Sequence, residues 1–152
     1  MLDIGDTAPD FELAGEDGGV VTLDDLLAEG PLVLYFYPAD FTSVCTAEAC
    51  EIRDRHEDLR AVSANVVGVS PQGESSHTRF RDKYELPFPL LDDRRKEVIN
   101  AYGVNGPLGI GVRRVTFLIN PDKKIANRVV ADFGVKRHMA LIDSVVEDLG
   151  GY

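Results

Sequence analysis

Two rhythms of apolar residues run along this chain. Leu32-Val33-Leu34-Tyr35-Phe36-Tyr37 is unbroken apolar sequence, the pattern of a strand buried on both faces, and Pro38 closes it. Asn65 to Val69 repeats the pattern and is followed by Pro71. Between the two, from roughly Ser43 to Ala61, the spacing becomes helical. Ala49, Ile52, His56 and Leu59 line one face, charges fill the others, and Glu51 and Arg55 form an i, i+4 pair outside. Glu74 to Tyr84 reads as a polar helix, Leu86-Pro87-Phe88-Pro89 as a rigid connector and Leu90-Leu91 as a short strand. Arg94 to Tyr102 reads as a helix stopped by Gly103. Val115 to Ile119 and Ile125 to Val130 flank Asn120-Pro121-Asp122-Lys123 and predict an antiparallel hairpin. The last helix, Lys136 to Leu149, gathers Met139, Ile142, Val145, Val146 and Leu149 on one face before Gly150 and Gly151. Near the start, Phe11-Glu12-Leu13 and Val20-Val21-Thr22-Leu23 flank the turn-rich Gly15 to Gly19 and read as a β-hairpin. Asp24 is then placed to cap a short helical turn through Ala28.

Strands and helices in this alternation predict an α/β fold: a central mixed sheet with helices on both faces. With no repeat or linker in 152 residues, one domain over 1–152 is expected. Sites in such sheets form outside the carboxyl ends of strands, and the segment after Tyr37 stands there. The composition is that of an ordinary globular protein, 44% hydrophobic and 28% charged. A net charge of −10 argues against nucleic-acid binding and against docking on an anionic membrane. The acidic start MLDIGDTAPDFEL has neither basic nor apolar signal regions, and no apolar run reaches membrane-spanning length. A cytoplasmic protein with reduced thiols is therefore expected.

The candidate chemistry lies in PADFTSVCTAEACEIRD, Pro38 to Asp54, which holds both cysteines, Cys45 and Cys50. A thiol in the first helical turn feels the positive end of the helix dipole and the free backbone N–H groups. At an ordinary pKa near 8.5, only about 3% of a thiol is ionised at pH 7. Raising that to about 90% takes roughly 3.4 kcal/mol, and a helix terminus supplies up to about 1 kcal/mol. A further cation is needed. Cys50 is five residues on, a rise of roughly 7.5 Å and a rotation about 140° off the face of Cys45. The Cα atoms are then roughly 8 to 9 Å apart, beyond the reach of about 7 Å that a disulfide allows. On an intact helix a static staple is disfavoured, whereas a transient bond after partial unwinding is allowed.

The segment YFYPADFTSVCTAEACEIRD resembles the active-site segment of the peroxiredoxins, P-x-x-x-[TS]-x-x-C, with Pro38, Thr42 and Cys45 at the matching offsets. A second cysteine five residues later resembles the Q-type branch, also called bacterioferritin comigratory protein. GDTAPDFEL, YELPFPLLDD and RRVTFLINPDKKI continue the likeness in the family's order over nearly the whole chain. This resemblance implies a thioredoxin-like fold with an N-terminal extension. It implies reduction of hydrogen peroxide and alkyl hydroperoxides with neither metal nor organic cofactor. Cys45 would be the peroxidatic nucleophile and Cys50 the resolving thiol, joined in a redox disulfide that a thioredoxin-like donor reopens. Arg114, three residues before Phe117, would be the cation, with adjacent Arg113 as the competing choice; strand alternation sends the two to opposite faces. Thr42 would hydrogen-bond the peroxide, although a helix N-cap also explains it. Pro38 would shield the pocket or simply end the strand. Glu48 would orient the arginine or be a solvated helix charge.

The family often has Pro-Gly where this chain has Ser43-Val44, and β-branched Val44 implies slower unwinding around Cys45. A monomer is expected, with a weak dimer as the alternative, because no C-terminal extension carries another cysteine. Two other functions fit two thiols: a general thiol–disulfide oxidoreductase, which would want the missing C-x-x-C, and a copper or zinc carrier. His56 lies on the Ile52–Leu59 stripe as a half-buried packing residue. His77 and His138 read as surface residues, and no zinc pattern emerges.

Overall fold

The computed structural model describes residues 1–15 and 19–150. Strands β1 (Glu12–Ala14) and β2 (Val20–Thr22) form the expected hairpin, closed by Gly15 N–H donating to Gly19 O; residues 16–18 of its turn lie outside the described residues. Helix α1 (Leu23–Leu27) follows. Its cap is Thr22 rather than Asp24. Thr22 Oγ1 accepts the Asp25 N–H at 3.1 Å and the Asp25 carboxylate accepts the Thr22 N–H at 3.2 Å, a reciprocal pair that Asp24 cannot make. Asp24 pairs with Lys123 instead.

Strand β3 (Leu32–Phe36), helix α2 (Ser43–Ala61), strand β4 (Asn65–Ser70), helix α3 (Glu74–Tyr84) and strand β5 (Leu90–Asp92) then alternate. Helix α4 (Glu97–Tyr102), a 3-10 turn (Pro107–Gly109), strands β6 (Val115–Ile119) and β7 (Ile125–Val130), and helix α5 (Lys136–Leu149) complete the chain. Helix α4 starts three residues later than its sequence pattern suggests. Lys96 takes a left-handed φ of +58° and the Asp93 carboxylate accepts the N–H groups of Val98 and Ile99, so the helix cannot extend back to Arg94.

The sheet order is β2-β1-β5-β4-β3-β6-β7. Strands β3, β4 and β5 are parallel, and β6 runs antiparallel to β3. Alternation along β3 divides the core. Leu32, Leu34 and Phe36 face α1 and α4, whereas Val33, Tyr35 and Tyr37 face α2, α3 and α5. Each such side chain, fully buried, contributes roughly 1.5–3 kcal/mol. Gly68 of β4 is required on the second face. A Cβ there would come within 2.7 Å of the Tyr35 ring, so the glycine makes room for the phenol beneath α2. Among the described residues no helix is long and apolar enough to cross a membrane.

Candidate active site

At the carboxyl end of β3 the chain passes through Tyr37 and Pro38 and turns sharply. Phe41 takes a left-handed φ of +65°, which only a few per cent of non-glycine residues adopt. Thr42 is the N-cap residue of α2 and Cys45 the third residue of the helix, in the turn whose N–H groups lack intrahelical acceptors. Cys45 is buried, and both thiols are free. One turn on, Glu48 lies on the same face, fully buried.

Arg114 meets both from the sheet. Its Nη2 donates to Cys45 Sγ at 3.1 Å and its Nη1 to Glu48 Oε1 at 2.7 Å. Its Nε donates to Asp132 O, its backbone N–H to Asp132 Oδ1, and its carbonyl accepts from Ala131 N–H. The guanidinium plane is thus fixed from the β7 side and aimed at the sulfur. Arg113 points the other way and pairs with Asp132 at 2.8 Å. Strand alternation separates the two arginines as expected. Burial disfavours the Arg114 cation, but Glu48 and Cys45 outweigh it and hold the guanidinium more firmly protonated than usual. Arg114 therefore puts a firmly held cation at hydrogen-bond distance from the Cys45 sulfur.

Glu48 is the opposite case. Burial pushes its carboxyl up to about 7 even against the pull of Arg114. Among the described residues its second oxygen, Oε2, has no hydrogen-bond partner, and neither has the Tyr35 hydroxyl, whose ionisation is suppressed by burial and by Glu48 and Cys45. One guanidinium therefore faces the Glu48 carboxyl and the Cys45 thiol in a buried site. The folded pKa lies above the ordinary 4.5, so stability present below about pH 4.5 is lost as pH rises through about 7. Denaturant unfolding across this range is expected to show Glu48→Gln gaining on the natural protein by on the order of 3 kcal/mol. A difference that stays constant with pH would contradict a raised Glu48 pKa.

The remaining candidates sit around this centre. Pro38 is half-buried and, with Arg114, lines a groove of about 680 Å³ whose walls include Ile110, Val112 and Phe133. Thr42 is exposed, and its hydroxyl donates to Ala39 O at 3.1 Å rather than capping the helix through its side chain, which leaves its oxygen lone pairs free to accept. Cys50 is partly buried further along the same unbroken helix.

Two histidines read as surface residues are in fact fully buried. His138 lies between Thr116 Oγ1 at 2.7 Å and Ala131 O at 2.9 Å, with Glu48 Oε2 3.8 Å from its Nδ1. His77 lies between Asp40 Oδ2 at 2.8 Å and Leu91 O at 3.0 Å. Helical spacing holds the missed signal: His77 is three residues from buried Phe80, and His138 three from buried Leu141. Both histidines spend their ring nitrogens on protein groups. His56, by contrast, packs near Phe88 half-buried, as its stripe suggests. Among the described residues no group of three or more histidines, cysteines or carboxylates is gathered to hold a metal.

A family model described as the AhpC/TSA family matches residues 4–128. The chain belongs to that family. It is 37% identical to peroxiredoxin Bcp of Bacillus subtilis (strain 168), over 97% of each chain. The crystal structure of peroxidoxin BcpB from Mycobacterium tuberculosis superposes with a TM-score of 0.88 at 36% identity, covering 98% of this chain and 97% of that one. Peroxiredoxin Q of Xanthomonas campestris gives a TM-score of 0.81 at 26% identity, covering 100% and 97%. The fold is therefore the thioredoxin-like fold of the peroxiredoxins, and as a peroxiredoxin the chain is an oxidoreductase and a peroxidase.

Proposed function

We propose that this peroxiredoxin is a two-cysteine peroxidase in which Cys45 reacts with peroxide and Cys50 resolves the product. The observation that supports it most is the 3.1 Å hydrogen bond from Arg114 to Cys45 Sγ at a buried helix start. The Cys45 thiolate attacks one peroxide oxygen. The S–O bond forms as the O–O bond breaks, and the other oxygen leaves as hydroxide or alkoxide and takes up a proton. Arg114 stabilises first the thiolate and then the charge on the leaving oxygen. Thr42 offers its oxygen to the peroxide O–H. Pro38 shields the sulfur, and the apolar walls of the groove beside it suit the carbon chain of an alkyl hydroperoxide as well as hydrogen peroxide. Glu48 is the supporting residue that steadies the guanidinium.

The Cys45 sulfenic acid then condenses with the Cys50 thiol, releasing water and leaving a disulfide. Both residues sit on a continuous helix, so this step needs the first turns of α2 to open. A thioredoxin-like dithiol reopens the bond by exchange. The cycle calls for no metal or organic cofactor, and we place the protein in the cytoplasm as a monomer or weak dimer. A general thiol–disulfide oxidoreductase is the less suited reading, since it would not require Arg114 to converge on a single sulfur. In a coupled assay with thioredoxin, Cys50→Ser is expected to consume a single equivalent of peroxide and then stop. Normal turnover would remove Cys50 from the cycle.

A further inference from the structure

The loop that delivers Cys45 is held from a second side, away from Arg114. The Asp40 side chain is fully buried five residues before the sulfur. Its Oδ1 accepts the Tyr37 hydroxyl at 2.6 Å, and its Oδ2 accepts the Ser76 hydroxyl at 2.7 Å and meets His77 Nδ1 at 2.8 Å. Burial alone would raise the Asp40 pKa, but the hydrogen bonds from His77 and Tyr37 outweigh it, and the carboxyl is held below its usual range. Its oxygens therefore accept. The other ring nitrogen of His77, Nε2, faces Leu91 O, and a carbonyl can only accept. Both ring nitrogens are thus engaged, Nδ1 by the Asp40 carboxylate with the Tyr37 hydroxyl 3.4 Å away, and Nε2 by the β5 backbone. The next residue, strained Phe41, lies against Phe80 at 5.1 Å and near Tyr84, under Lys83. Loop, α3 and β5 are thereby tied together through one buried hydrogen-bonded pair, Asp40 and His77.

We propose that His77 is a positioning residue for the peroxide-reactive state: wedged between Asp40 and Leu91 O, it latches the loop ahead of Cys45 and sets how readily α2 opens. This rests on the two-cysteine reading above, because opening matters only if Cys45 must reach Cys50. Removing one partner of a buried hydrogen-bonded pair leaves the other unsatisfied, whereas replacing both with neutral amides does not.

The test compares His77→Gln, Asp40→Asn and the double variant with the natural protein. Two quantities are measured: the second-order rate with hydrogen peroxide, and the fraction of reacted Cys45 that over-oxidises to sulfinic acid under graded peroxide. Each single variant is expected to lose on the order of tenfold in rate and to show a smaller sulfinic fraction, because an opened helix resolves sooner. The double variant is expected to return toward natural behaviour in both. A loss of folded protein alone lowers the rate but leaves the sulfinic fraction per reacted Cys45 unchanged, and that result overturns the latch. So do single variants equal to the natural protein, or a double variant worse than both. If one single variant does not fold, the other with the double variant decides the same question. In the same experiment the natural protein reports on the underlying reading. If it forms the Cys45–Cys50 disulfide while the variants match it, only the latch fails; if it forms none, the two-cysteine reading and the latch fall together.

Discussion

Cys45→Ser is expected to reduce peroxide no faster than buffer while remaining folded. The side chain is 2% exposed, and exchanging sulfur for oxygen leaves its packing against the second core nearly unchanged. What the variant removes is the sulfur proposed as the nucleophile. A serine hydroxyl is a far weaker nucleophile than a thiol, and among the described hydrogen bonds the only side-chain partner of this position is the Arg114 guanidinium, which cannot take a proton from it. Thermal unfolding within a few degrees of the natural protein, together with no peroxide consumption in a direct assay, is the expected pair of results. Residual turnover above buffer would mean that Cys50, or another group, attacks peroxide.

The second large effect is expected at Arg114. Lysine keeps the charge but has a single nitrogen. It cannot donate to Cys45 and Glu48 at once while also being held by Asp132 O. Losing one preorganised donor at a site of developing charge typically costs about 10²–10³ in rate, so kcat/KM for Arg114→Lys should fall by about that factor. Arg113→Lys is the control. Arg113 pairs with Asp132 on the outer side and has no contact with the sulfur among the described hydrogen bonds, so it should change kcat/KM little. If the two variants have equal effects, the fork of Arg114 is not what activates Cys45.

Much of the fold was legible because it rests on period and punctuation. The apolar run Leu32–Tyr37 could only be a two-faced strand, and Lys136–Leu149 shows its buried stripe openly. The opposed directions of Arg113 and Arg114 follow from strand geometry alone, and the structure sends them to Asp132 and Cys45 respectively. Less legible were features decided by side-chain reciprocity. The α1 cap went to Thr22 because Asp25 answers it, and α4 was shortened by Asp93 reaching over its first turn. Least legible were His77 and His138. Each stands among charges in the sequence, yet each is buried because a distant acceptor, Leu91 O or Ala131 O, awaits its ring. Local polarity says nothing about partners 14 residues away in sequence for His77, which only the sheet brings near. The resemblance to peroxiredoxins named Cys45, Glu48 and Arg114 as a set, and the structure brings those three into contact. It did not name Asp40 or Ser76, whose bonds anchor the loop from behind.

In the proposed cycle Cys45 is the sulfur that meets peroxide and Cys50 the thiol that condenses with the resulting sulfenic acid. The most direct test mixes reduced protein with one equivalent of hydrogen peroxide, blocks remaining thiols at once, and maps the modified peptides by mass spectrometry. The expected product is a Cys45–Cys50 intramolecular disulfide in the natural protein, and oxygen added to Cys45 alone in Cys50→Ser. Oxygen on Cys50 with Cys45 still a free thiol would contradict it.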